Sequence, residues 1–501
     1  MYFIARGMHV RSLLHPVWMT FFVSIVLSVI AVLSNTLNRD GMLYVEAARA
    51  FMQDGMSAAT AVFSWPFLPI LMGWCSLLTG LDPEFCGHLL NILFMAGACA
   101  LLVAVTARAF PELGWFTALV VLAIPGLNEY RHELIREYGC WFFTMLSFWA
   151  AQHWAENPRW RTCLVIHLSL LLAALFRPEA LVFYPCLLAW QFFHAKREGR
   201  WKRLLMLGGI PVVLFCLLLS SYLSGMLPET SRLAAELARF DFLSRFDSTA
   251  RNMGMAFNFY AREEAETAHV ILFFGSLAII PFKFLLKTGV FLLPLGYAFF
   301  LPDRRRETLA RLSIFSWAFA GHALMLAVFV LQQQFLSGRY IALLLLFSAP
   351  LAALGLRQAV LCYPRIKSVL VAICLAIMFA NVVSLKPDKA HFVDAGKWMA
   401  ANIENGNRVY IESARAAHYA GFGFSAFNAA RLSREMLAER IAAGQYDVLV
   451  LEVSRKESDI GSWIANAGLQ EMRRFLHPNG DAIIVLRTKN ANISASTTAE
   501  Q

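Results

Sequence analysis

Charge is scarce in this sequence. Only 16% of its 501 residues are Asp, Glu, Lys or Arg, where a soluble protein carries about 25%. That excludes an ordinary soluble domain for most of the chain. There is no Walker A run and no G-x-G-x-x-G after a strand, which argues against a nucleotide-driven machine. The nine cysteines end at Cys374 and none has zinc-site spacing, so the C-terminal part has no disulfide framework. No small-x-small cleavage site follows the first apolar run, which begins near Val17 behind Arg6 and Arg11. It reads as an uncleaved first span. Internal repeats are missing too, which weighs against a secondary transporter.

What is there is apolar length. Hydrophobic residues make up 58% of the chain, and mean hydropathy is +0.55 even with a polar C-terminal part. Runs long enough to cross roughly 30 Å of hydrocarbon recur, and such runs must be helical because no water satisfies their backbone. Spans are expected near 17–34, 87–107, 114–128, 139–155, 162–176, 179–194, 204–223, 281–301, 312–331, 341–357 and 368–385. Residues 63–80 are apolar but short and carry Pro66 and Pro69, and they read as a re-entrant or interfacial hairpin. With that reading, the alternate loops beginning with the N-terminus hold 17 Lys and Arg, and the short loops on the other side hold six. The first set therefore faces the cytoplasm. The net charge of +10 follows from those loops and points to the membrane, with no nucleic-acid partner expected.

The expected organisation is a membrane domain over 1–385 with outer loops 35–86 and 224–280, an α/β domain over 386–488 outside the cytoplasm, and a disordered tail over 489–501. In the second loop, Leu233, Leu237, Phe240, Leu243 and Phe246 recur at helical spacing. They predict a helix either on the membrane surface or packed on the protein. In the C-terminal domain the pattern predicts helices over 390–403, 432–443 and 457–467. Strands are predicted over 408–412 and 446–453, with a hairpin of 470–477 and 481–487 turning at His477-Pro-Asn-Gly480.

Charges beside spans are costly and need a reason. On this topology several fall on the outer side: Arg39, Asp40 and Glu46; Glu129, Arg131, His132, Glu133, Arg136 and Glu137; Arg177 and Glu179; Lys283 and Lys287; and Arg339 with Tyr340. Each alone is open to reading as a snorkelling anchor or a local ion pair. Together they offer mixed acids and cations to one face.

The stretch Arg39-Asp-Gly-Met-Leu-Tyr-Val-Glu-Ala-Ala48 resembles the first outer loop of the GT-C glycosyltransferases. These are polyprenyl-phosphate-sugar-dependent membrane enzymes that include the protein O-mannosyltransferases and the lipid A aminoarabinose transferase. Ser64-Trp-Pro-Phe-Leu-Pro69 resembles their partly inserted next element. Pro125 to Glu133 resembles the loop bearing a second acid, and Ser337-Gly-Arg-Tyr340 a late Arg-Tyr motif. The resemblance implies a multi-helix membrane fold with a small outer α/β domain, and the composition points to the inner membrane of a bacterium. It implies transfer of a sugar from a polyprenyl phosphate to a lipid, glycan or protein acceptor, by one inverting displacement. Asp40 is the expected general base, and Glu129 or Glu133 would orient the acceptor or tune Asp40. Arg339, then Arg177, Lys283 and Lys287, would hold the donor phosphate. Arg39, Tyr44, Glu46, Arg131, His132, Glu179 and Tyr340 complete the expected substrate contacts. The first loop departs from the Asp-x-Asp pair of metal-dependent members, since Arg39 precedes Asp40. A metal cofactor is therefore not favoured. An O-antigen polymerase or ligase, or a transporter of a glycolipid or polar solute, is the alternative.

Overall fold

The structure is a computed structural model that describes residues 15–33, 35–194, 199–224, 242–256, 267–383, 389–403, 408–423, 431–457 and 459–488. These divide into two compact units. The first lies within 1–30, 88–131 and 135–383, and the second within 31–87, 132–134 and 384–501.

The first unit is a multi-pass membrane domain. Five described helices are long and apolar enough to cross a bilayer: Pro16–Leu33, Pro83–Ala109, the broken segment Thr267–Phe299, Ser313–Gln333 and Gly338–Cys362. The other expected spans are also helical, at Gly114–Ala123, Glu137–Glu156, Trp160–Phe176, Phe183–His194, Arg200–Leu223 and Lys367–Ala380. Small residues mark the inward faces, as helices in lipid require for close approach. In Gly338–Cys362 the buried set includes Ala342, Ala349, Ala352, Ala353 and Gly355.

One brace in this unit is polar. Ser24 and Ser28, one turn apart on Pro16–Leu33, point inward and are buried. Arg131 donates from Nη1 to Ser28 Oγ at 2.7 Å and Ser24 Oγ at 2.9 Å. Its Nε donates to Asn128 Oδ1 at 2.7 Å. Asn128 in turn donates to Ile124 O at 2.7 Å, which closes the break between Gly114–Ala123 and the short helix Pro125–Asn128.

The outer loop expected over 224–280 differs from the structure. Residues 225–241 lie outside the described ones, so the expected helix is seen only in its later part, within Phe242–Met255. The next helix already begins at Thr267 and runs to Thr288 with Pro281 inside it. The span expected at 281–301 thus begins too late, because 267–280 is itself apolar enough to continue it.

The second unit joins the first outer loop to the C-terminal domain. Its sheet runs β1 (Val409–Ile411), β2 (Val448–Val453), β3 (Leu469–Leu476) and β4 (Ala482–Thr488), in the order β1-β2-β4-β3. β1 and β2 are parallel and the remaining pairs antiparallel, with Leu449 opposite Leu486 and Phe475 opposite Ile483. The hairpin turns where the sequence places it, Gly480 N–H donating to His477 O at 2.9 Å. β2 and β4 are apolar on both faces because helices cover both. Val448, Val450, Ile483 and Val485 pack under Ala390–Asn402 and Ala414–Tyr419. Leu449, Leu451, Ile484 and Leu486 pack under Arg434–Ala442 and Ile460–Asn466.

Residues 63–80 form no hairpin. After a bend they make a helix of 13 residues, Phe67–Thr79. At 1.5 Å per residue it rises about 20 Å, too short to span the hydrocarbon. It packs on Arg39–Val62, and Gly73 permits that contact: a Cβ there would meet Phe51 at 2.7 Å. The same unit ties this loop to the C-terminal domain, since the Leu37 amide donates to Tyr419 Oη at 3.1 Å and His418 Nε2 lies 3.5 Å from Glu84 Oε2.

Candidate functional site

In the second unit, Arg39–Val62 places Asp40 in its first turn, where aligned peptide dipoles favour a negative charge. Arg39 is exposed, while Asp40 and Glu46 are half-buried. Tyr44 is buried, its ring 5.3 Å from that of Phe63. Asn38 brackets the turn. Its Oδ1 accepts from Leu134 N–H at 2.9 Å and its Nδ2 donates to Leu134 O at 3.3 Å. This two-way bond brings His132 and Glu133 to the start of the Asp40 helix. Gly41 makes room for it, since a Cβ there would stand 2.7 Å from Asn38 Oδ1.

In the first unit, two clusters meet along the stretch 336–340. In one, Lys287 Nζ donates to Glu129 Oε2 at 2.7 Å and lies 5.5 Å from the centre of the Tyr130 ring. One turn earlier, Lys283 donates to Leu336 O. Gly338 is required here because a Cβ would fall 2.3 Å from Tyr130 Oη and 2.9 Å from Lys287 Cε. Lys283 and Lys287 were expected near the outer end of a span. They sit instead well inside the 33-residue segment Thr267–Phe299.

The other cluster centres on Arg177, in the turn between Trp160–Phe176 and Phe183–His194. Its guanidinium donates to Glu137 Oε1 at 3.0 Å and Glu179 Oε1 at 3.1 Å, and lies 4.6 Å from the Tyr340 ring centre. Burial alone favours the neutral guanidine, but Glu179 and Glu137 outweigh it and push the Arg177 pKa above its ordinary value. Oε2 of each glutamate is buried without a hydrogen-bond partner among the described residues. Both acids, Arg177, Arg339 and Tyr340 line one cleft with His322, whose Nε2 donates to Tyr340 O at 2.9 Å. Its enclosed volume is 40 Å³, which is water-sized, so a larger group must enter from the open side.

Chemically, these two clusters set Arg177, Arg339, Lys283 and Lys287 against Glu129, Glu137 and Glu179, and Arg136 also acts on Glu179. Arg177 and Lys287 are already paired with acids. No described carboxylate pairs with Lys283. Arg131 stands apart from the expected substrate contacts. It is 2% exposed, and its Nε and Nη1 donate to Asn128, Ser24 and Ser28, which makes it a brace between Pro16–Leu33 and the turn after Pro125–Asn128. Glu137, Tyr130 and His322 are the additions. Glu137 was visible only as one acid in an outer loop, and His322 only as a lone imidazole inside an apolar run. Among the described residues, no group of three His, Cys, Asp or Glu is placed to hold a metal ion.

No family model and no curated protein matches the sequence. Solved structures do. ArnT from Cupriavidus metallidurans bound to undecaprenyl phosphate superposes with a TM-score of 0.51 at 12% identity, over 93% of this chain and 97% of its own. Its apo form gives the same score and identity over 96% and 98%. The chain has the GT-C fold. The GT-C resemblance read from four short motifs thus holds at the level of architecture, including the small C-terminal sheet domain. At 12% identity it is the path of the GT-C chain that is shared.

Proposed function

We propose that the chain is a GT-C glycosyltransferase that takes a sugar from a polyprenyl-phosphate donor, undecaprenyl phosphate being the carrier, and passes it to an acceptor at the periplasmic face of a bacterial inner membrane. The observation that carries this reading is the fold shared over nearly the full length with a protein crystallised holding undecaprenyl phosphate. Two further features support it. Cations outnumber acids in the two clusters along 336–340, as an anionic donor needs. The first outer loop and the C-terminal domain fold as one unit, which fits their lying on the same side of the membrane.

The chemistry follows from the leaving group. A phosphate departs as an anion and needs charge stabilisation, not a strong acid. Lys283 and Arg339 supply it, with Arg177 and Lys287 holding the surrounding carboxylates in place. Asp40 accepts the proton from the acceptor hydroxyl or amine as its lone pair attacks the anomeric carbon. The bond from that carbon to the phosphate oxygen breaks in the same displacement, so the configuration inverts. The unpartnered oxygens of Glu137 and Glu179 accept from sugar hydroxyls, and His132 and Glu133 orient the acceptor beside Asp40.

Mass spectrometry of lipid copurifying with the full chain tests this. A polyprenyl phosphate is expected, depleted in Lys283→Ala and Arg339→Ala. Phospholipids alone in every preparation, with no transfer from any polyprenyl-phosphate sugar, would overturn the reading.

A further inference from the structure

At the other end of Phe183–His194 from Arg177, an open groove of 490 Å³ runs between that helix and Arg200–Leu223. Its walls are Leu188, Phe192, Trp201 and Leu205, and its floor is Gly208 and Gly209. Nothing lies within 4 Å of where a Gly209 Cβ would stand, so the floor is open. Trp201 and Leu205 are each 71% exposed.

The mouth has the opposite character. Arg200, Lys202 and Arg203 stand together at the start of Arg200–Leu223, with no acid among them. The Arg200 guanidinium sits 5.0 Å from the centre of the Phe192 ring, which fixes one positive charge at the rim. Arg203 is tied to Ala155 O at 3.1 Å, and Lys202 is exposed. Trp201 beside these cations is the residue pattern of an interfacial belt.

Length identifies the occupant. From Trp201 to Val212, the last wall residue, the helix rises about 16 Å, close to half of a hydrocarbon core of about 30 Å. The groove is therefore one leaflet deep, with its described cations at the Trp201 end. Its cationic mouth lies at the far end of Phe183–His194, a helix of 12 residues that rises about 18 Å from the turn holding Arg177. A polyprenyl phosphate seated at Lys283 and Arg339 would carry its anion at the wrong end.

We propose that this groove binds a phospholipid with an anionic headgroup, in the leaflet on the side of Arg200 and Lys202. One acyl chain lies along Leu188, Leu205 and Gly209, and the headgroup phosphate meets Arg200 and Lys202. Setting aside the donor lipid as occupant rests on the sugar-transfer reading; the groove and its cations do not.

The test uses the full chain in phosphatidylcholine nanodiscs doped with phosphatidylglycerol bearing a photoreactive acyl chain. Label is expected in the peptides over 188–212. Lys202→Gln should weaken half-maximal labelling by about fivefold, one surface cation's share of attraction to an anionic lipid. Gly209→Leu should fill the floor and abolish that label. Both changes fall at exposed or open positions, and unchanged sedimentation confirms that each variant is folded. Equal labelling by a phosphatidylcholine probe overturns the anionic selectivity. Persistent labelling in Gly209→Leu overturns the groove, and displacement by a polyprenyl phosphate instead assigns it to the donor.

Discussion

Replacing Arg177 by Met keeps the side-chain length but leaves two carboxylates without their shared cation. The glutamates are not equivalent. The Glu137 side chain is 7% exposed and that of Glu179 is 33% exposed, while that of Arg177 is 11% exposed. Breaking a buried pair by removing one partner costs about 3–5 kcal/mol, and a partly solvated pair contributes only about 0–1 kcal/mol. Nearly all of the loss should therefore run through Glu137. In the Glu137→Gln background, Arg177→Met should cost only about 1–2 kcal/mol, a coupling of about 2–3 kcal/mol. Arg177→Lys should rescue only in part, since an ammonium cannot bridge two carboxylates and lie flat on Tyr340 at once. The measurement is a double-mutant cycle on denaturant unfolding of the purified chain in detergent. If the two single losses add to the double within about 0.5 kcal/mol, the bridge does not exist in the folded protein and the reasoning fails.

Asp40→Asn should abolish transfer while unfolding midpoint and expression stay near wild type, and turnover close to wild type in a reconstituted assay would remove its role as base. Arg339→Ala should raise the KM for the donor more than that for the acceptor, and equal changes would make it an anchor. Gly338→Ala should cost stability and donor use together, because the new methyl strikes Tyr130 and Lys287; an unaffected variant would show that this approach is not required. His391 is buried beside Phe392 and His477, its ring centre 4.8 Å from that of His477. Burial, then the neighbouring His477, pulls its pKa down to about 4 from 6.5. The neutral ring is thus favoured in the folded state, so its contribution is complete above pH 6.5 and is lost as the pH falls towards 4. Across that window the chain should lose about 2–3 kcal/mol, and His391→Gln should flatten the curve of unfolding midpoint against pH.

How much of this was legible depended on whether the signal was local. Apolar runs announce helices because lipid leaves the backbone no other option, and the expected spans fall on helical residues, although 114–128 and 281–301 are each broken. The apolar run at Val448–Val453 announced a strand, and the structure shows it covered by helices on both faces. The helix Ala414–Tyr419 was not expected, although Ser413 caps it by accepting from Ala416 N–H. Six residues give too short a period to read. The start at Thr267 was missed, although 267–280 is itself apolar enough to continue the span. The pairings were the least legible part. Glu137 lies 40 residues from Arg177, and Glu129 lies 158 from Lys287. Each looks alone like a solvated loop charge. Only the fold shows that the first closes a buried triad and the second neutralises a lysine deep in an apolar segment. Arg131 misled in the opposite way, since a lone cation among acids and a histidine resembles a ligand contact until Ser24 and Ser28 arrive from over 100 residues away.

The bond from the Leu37 amide to Tyr419 has a consequence for evolution and engineering. A domain whose tyrosine holds the backbone three residues ahead of Asp40 is not a detachable appendage. Grafting the C-terminal sheet from another enzyme of this architecture would import a foreign partner for the first loop. Residues 35–87 and 389–488 should therefore travel as one exchangeable block, and recombination points that separate them should yield chains that insert in the membrane yet turn over poorly.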